Sequence, residues 1–207
     1  MKKPNAKRSM KYTKSMLVLV DQLLSLPVVS LQTGQELARP TQPIIDPRHL
    51  HLVAFYCEGP NLDATPAVLY TDDIREVSSI GLIVNSAENI MSPEDLVRLQ
   101  QVLNFNFVLQ DKPVVDDLGN KIGKISHYAV EATTFFIIKL HVRPPLLQAW
   151  QTAERIIDRS QIIEINDKHI VVKSATKKAK RTPAPVFQSP FRGVRPQTDA
   201  MHRHESV

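Results

Sequence analysis

A mainly β fold is what this sequence predicts: two small β-barrels in tandem, with short helices, between disordered basic termini. Three observations carry that reading. Short β-branched and aromatic runs bounded by turn residues fill the middle of the chain, one half of that middle repeats the other, and positive charge gathers at the two ends.

Charge divides the chain first. Residues 1–15 hold six basic and no acidic side chains, 173–207 hold eight basic and two acidic, and 16–172 hold twelve basic and nineteen acidic. The net charge of +5 therefore conceals an acidic body between basic ends, so polyanion binding is expected of the ends. Lys2, Lys3, Lys7, Arg8, Lys11 and Lys14 precede the apolar run Met16 to Val20, but Asp21-Gln22 interrupt it. A secretory core needs about 7–15 apolar residues, and a bilayer span about 20, so neither is expected. The single cysteine, Cys57, allows no intrachain disulfide and reads as a small buried hydrophobe, which suits a cytoplasmic location.

Along the body, Val28-Val29, Leu50 to Tyr56, Ile80 to Val84, Val114-Val115, Phe135 to Val142, Ile162 to Ile165 and Ile170 to Val172 are strand candidates. Leu50 to Tyr56 is polar only once, at His51, and is expected to be buried on most of both faces. Two segments read as helices. Ser92 can cap the first, Pro93 suits its first position, and Leu96, Leu99, Gln100 and Leu103 continue it. Leu146, Leu147, Trp150, Ala153 and Ile157 space a second over Pro145 to Ile157.

The repeat is read from Leu26-Pro27-Val28-Val29 through Gly34 to Leu37, which matches Lys112-Pro113-Val114-Val115 through Gly119 to Ile122. Asp73 to Ile80 is aligned with Arg155 to Ile162, and Asn85 to Ile90 with Asn166 to Ile170. Two copies of this size suit tandem domains. The boundaries are a disordered N-terminus over 1–15, a first barrel over 16–92, a linker helix over 93–104, a second barrel over 105–175 and a disordered tail over 176–207.

Turn chemistry supports the repeat. Gly34 and Gly119 stand where hairpin turns demand a left-handed residue, and Asp116 and Asp117 can hydrogen-bond the turn backbone. Gly123 lets its strand kink or another backbone approach. Copy one has Ala38 at that place and then Pro40 and Pro43, which predict an edge or broken strand.

The Pro113-Val114-Val115, acidic turn, Gly119, Lys121-Ile122-Gly123-Lys124-Ile125 sequence resembles the signature of the PRC-barrel family, and Asp73-Ile74-Arg75-Glu76-Val77 its closing segment. Met16 to Val20, as a short strand, and Asp21 to Leu24, as a helical turn, are similar to its lead-in. The resemblance covers about residues 16–174. It implies barrels like those of the photosynthetic reaction-centre H subunit and of a ribosome maturation factor, which contact protein or RNA and carry no chemistry of their own.

Side chains that could do chemistry are few. The carboxylate pairs Asp72-Asp73, Glu94-Asp95 and Asp116-Asp117 fall at turns or caps, and the six glycines are scattered singly, so no phosphate loop is present. His49 and His51 share one face of a strand but lack the further ligands a metal site requires. Trp150 has two readings, a helix-packing anchor and a partner-facing hot spot. In the tail, Lys177, Lys178, Lys180, Arg181, Arg192 and Arg195 with Phe187 and Phe191 suit stacking and charge contacts. That tail has three readings: a solubilising segment, an RNA or ribosome contact, or a contact with an anionic membrane surface or acidic protein. The function expected is a non-enzymatic adapter for a protein partner, without cofactor or metal. The alternative is an RNA- or ribosome-associated factor.

Overall fold

In the structure, a computed structural model that describes residues 16–60, 62, 66–93, 97–145 and 153–174, the strand-forming runs assemble into two seven-stranded sheets. β1 (Leu17–Leu19) and α1 (Val20–Ser25) lead into β2 (Val28–Ser30), β3 (Glu36–Asp46), β4 (His51–Glu58), β5 (Ala67–Tyr70), β6 (Glu76–Ser78), β7 (Gly81–Val84) and β8 (Ile90–Met91). After α2 (Val97–Leu103) come β9 (Pro113–Asp116), β10 (Lys121–Glu131), β11 (Ile137–Arg143), β12 (Arg155–Asp158), β13 (Ile162–Ile165) and β14 (Ile170–Val172).

The first sheet runs β6-β7-β2-β3-β4-β5-β8 and the second β13-β14-β9-β10-β11-β12, with β1 added to β10. Without β1 and β8 the two orders are the same. Each contains one parallel pair at the same place, Val28 opposite Leu82 and Val114 opposite Ile170. The duplication is therefore present in the backbone. Both sheets are open paths, and no pairing among the described residues joins their ends, so a mainly β fold is found where closed barrels were expected.

The fold also re-registers the end of the repeat. Leu82, and not Ile90, is the counterpart of Ile170, and the 3-10 turn Thr71–Asp73 matches Arg159–Gln161. The polar turns that begin at Asn85 and Asn166 look alike but follow and precede their strands, respectively. Composition identifies a turn without saying which turn it is. Ile157, expected on a helix, lies in β12 and is buried, while residues 146–152 fall outside the described residues.

Pro40 and Pro43 do not place β3 at an edge. β3 lies between β2 and β4, but β2 covers only its start, at Glu36 and Ala38. Both prolines fall on the stretch paired with β4 alone, beside a register shift between Pro40 and Gln42. A proline lacking its N–H is tolerated where one flank needs no donor.

The two halves meet about a local pseudo-two-fold. Leu50 and Phe135 close the β3–β4 and β10–β11 hairpins in the left-handed region, at φ 43° and 54°. Such backbone is uncommon for large apolar residues, and both are buried. Their carbonyls point across the junction: Ile137 N–H donates to Leu50 O at 2.9 Å and Leu52 N–H to Phe135 O at 3.0 Å. Between these reciprocal bonds His51 faces Phe136 with ring centroids 4.7 Å apart. At one side Thr71 Oγ1 donates to Leu52 O at 2.9 Å. Its counterpart Arg159 donates to Ile137 O at 3.2 Å and reaches on to Leu50 O and His49 O of the other half. β1 is a further suture, since it precedes the first half yet pairs with Ala129 to Glu131 of β10.

One apolar core follows from this joining. Leu23, Leu52, Phe55 and Leu82 belong to the same buried cluster as Ile125, Ile137, Leu140 and Ile170, and the described residues form one compact unit. A smaller cluster, Ile44, Ala54, Val68, Leu99 and Val102, packs α2 on the first sheet. β4 is thus covered on both sides, buried on one and half-buried on the other over much of its length, as its apolar run with a single polar residue anticipates.

Asp46, at the end of β3, receives Arg48 Nη2 at 2.8 Å, Arg48 Nε at 3.0 Å and the Arg48 backbone N–H at 2.9 Å. The guanidinium holds its carboxyl below the usual range, against the opposing effect of burial. A depressed folded pKa gives stability that is present above the unfolded value and lost as pH falls through the folded one. The melting temperature is expected to drop as pH falls below about 4, with a shallower drop in Asp46→Asn. Identical acid slopes in the two proteins would contradict this.

Candidate functional site

Gly34 and Gly119 sit at their turns with φ of 70° and 83°. At the second turn Asp116 accepts the N–H groups of Leu118 at 3.0 Å and Asn120 at 2.7 Å. Asp117 instead accepts the N–H of Ser174 at 3.0 Å. Gly123 is a close-approach position: a Cβ there would lie 2.0 Å from the Arg143 carbonyl oxygen. In the first half the glycine sits on the facing strand. Ala38 replaces Gly123, and Gly59, just after β4, is where a Cβ would meet Leu37 O at 2.6 Å.

The tight β10–β11 crossing at Gly123 forms one wall of an open groove of about 830 Å³. Val114, Val115 and Gly123 line it with Pro113, Pro144 and Pro145, and Lys121, Lys124, Arg143, Lys168 and His169 rim it. Three separate segments supply the cations. Lys121 and Lys124 come from β10, Arg143 stands opposite Lys124 at the end of β11, and Lys168 and His169 precede Ile170, the partner of Val114. The loop bearing Lys168 and His169 is held in place. Asn166 Oδ1 accepts both their N–H groups, at 3.0 and 2.8 Å, and Lys112 Nζ donates to Asp167 O at 2.9 Å. Arg143 pairs with Asp111 at 3.3 Å, both exposed. Lys121, Lys124 and Lys168 are exposed and make no ion pair among the described residues. This cluster was not anticipated from sequence, which assigned polyanion binding to the termini.

The chain matches no family model and no curated protein.

A second polar cluster lies on β10 and β11, where His127 and His141 are cross-strand neighbours. His127 Nδ1 is 2.6 Å from Asp21 of α1, and His141 Nδ1 is 3.6 Å from Glu154. Ser126 Oγ is bonded to the Glu154 carboxylate and the His141 carbonyl oxygen, and that hydroxyl holds Glu154 below the usual carboxylate range. Through these bonds Ser126 ties β10 to β11 and to Glu154, which immediately precedes β12.

Cys57 is buried, and desolvation pushes its thiol up to about 12. His49 is exposed in the β3–β4 turn, whereas His51 is half-buried in β4 with Nε2 3.0 Å from Thr134 O. The pair therefore does not share a strand face. Among the described residues no group of three or more His, Cys, Asp or Glu could hold a metal ion, and no helix is long and apolar enough to cross a membrane. Trp150, Lys177, Lys178, Lys180, Arg181, Phe187, Phe191, Arg192 and Arg195 lie outside the described residues.

Proposed function

We propose that this chain is a non-enzymatic cytoplasmic adapter in which a tandem pair of PRC-type units holds a protein partner. The observation that carries the reading is the groove over β9 and β10, where Val115, Pro113, Pro144 and Pro145 lie beside the core residue Val114 within a charged rim. Such a concave apolar surface with a few convergent polar groups is the usual form of a binding site. Six residues of the PRC-like signature, Pro113, Val114, Val115, Lys121, Gly123 and Lys124, line this groove.

The alternative, an RNA- or ribosome-associated factor, is favoured by the eight basic residues of 173–207. A photo-crosslinking side chain at Val115 of the full chain, in its native cells, separates the two. Discrete protein adducts at Val115, missing when the crosslinker is moved to exposed Glu88, are the expected outcome. RNA adducts alone would favour the alternative, and identical adducts from both positions would remove the groove from the reading.

A further inference from the structure

We infer that the groove takes an extended segment of a partner protein in which acidic and apolar side chains are interspersed. This rests on the adapter reading and specifies what the adapter holds. The body over 16–172 is net acidic, yet among the described residues no acidic side chain lines this groove, and four cations and His169 do. The rim is a local reversal of the surrounding charge. Three of its lysines have no ion pair among the described residues, and Arg143 has only the exposed Asp111. Complementary charge at such a rim selects partners and accelerates their encounter.

The apolar lining distinguishes a peptide from a nucleic acid. Single-stranded RNA is gripped by stacking successive bases on aromatic rings, whereas the described lining holds one such ring, His169, beside the apolar Pro113, Val115, Pro144 and Pro145. The Val115 and proline surfaces suit apolar side chains of an extended chain, and Lys121, Lys124 and Lys168 suit its carboxylates. The chain's own termini do not answer the rim, because 1–15 and 173–207 are themselves net basic. Residues 146–152, which follow Pro145, carry no charge and would leave the cations unmatched.

The test uses the full chain and three fluorescent probes: a short peptide of alternating glutamate and valine, its glutamine counterpart, and an oligouridylate. The glutamate peptide should bind saturably and roughly tenfold more tightly than the glutamine peptide, with the preference shrinking as salt rises. The double change Lys121→Glu and Lys124→Glu should abolish that preference while the melting temperature is retained. Lys168→Glu, on a separate loop, should weaken it independently. Deletion of 176–207 should leave it intact. Equal binding of the two peptides, indifference to the charge reversals, or tighter oligouridylate binding that the same reversals abolish would each overturn the inference. If the peptides fail while Val115 still crosslinks to a protein, the assigned occupant is wrong and the adapter reading stands. If Val115 captures no protein, the adapter reading itself falls.

Discussion

Replacing Gly123 by alanine is expected to destabilise the protein by about 2–3 kcal/mol, the upper part of the range for an overpacked interior. The added methyl group would lie 2.0 Å from Arg143 O, 2.8 Å from Arg143 C and 3.0 Å from Val142 Cγ1. Two of these atoms are backbone, so no side-chain rotation relieves the contact and the β10–β11 end has to part. That end carries Lys124 opposite Arg143, so the groove should widen as stability falls. Gly59→Ala is the matching experiment in the first half, against Leu37 O. Ala38→Gly should lose about 1–2 kcal/mol, through backbone entropy and the loss of a buried methyl group. Urea unfolding midpoints decide the matter: an unshifted midpoint for Gly123→Ala would show that the crossing is not tight.

Phe55→Ala should remove about 3–5 kcal/mol, and the loss should be felt in both halves. Phe55 is fully buried in the cluster that also contains Ile125, Ile137 and Leu140. A domain of ordinary stability, about 5–15 kcal/mol, is left marginal by such a loss. Two probes report it from opposite sides. The Cys57 thiol, held neutral and buried in the first half, should become alkylated only as the chain opens, and faster in the variant. Amide exchange in β10 and β11 should speed up by the same free energy, because the junction bonds and β1 tie those strands to the first half. Exchange in β10 and β11 that ignores the substitution would mean that the halves are stabilised independently.

Local signals were readable wherever the chemistry of a few neighbouring residues decides the outcome. The apolar runs at Val28, Leu52, Val114 and Ile170 are strands, Leu99 and Leu103 are on a helix, and Gly34 and Gly119 take left-handed turns. The first part of the repeat was legible because both hairpins use the same Pro-Val-Val and glycine pattern. Its end was not, because similar polar turns occur on either side of a strand and composition has no direction. The prolines of β3 were legible only in part: they mark a register shift and a one-sided stretch, but not an edge strand, because whether a strand position needs its N–H depends on how far the neighbouring strand extends.

By itself, the sequence determined the mainly β class, the duplication, the acidic body between basic ends and the turn glycines. Each depends on residue type, spacing or count. Only the tertiary structure decided that the halves share one core, that Leu50 and Phe135 offer their carbonyls across a pseudo-two-fold, and that the sheets remain open. It alone brought Lys121, Lys124, Arg143 and Lys168 around one groove. These residues are dispersed over three segments of an acidic body, where no local window shows a cluster. Strand register is a long-range property, and it is register that turns separate charges into a surface.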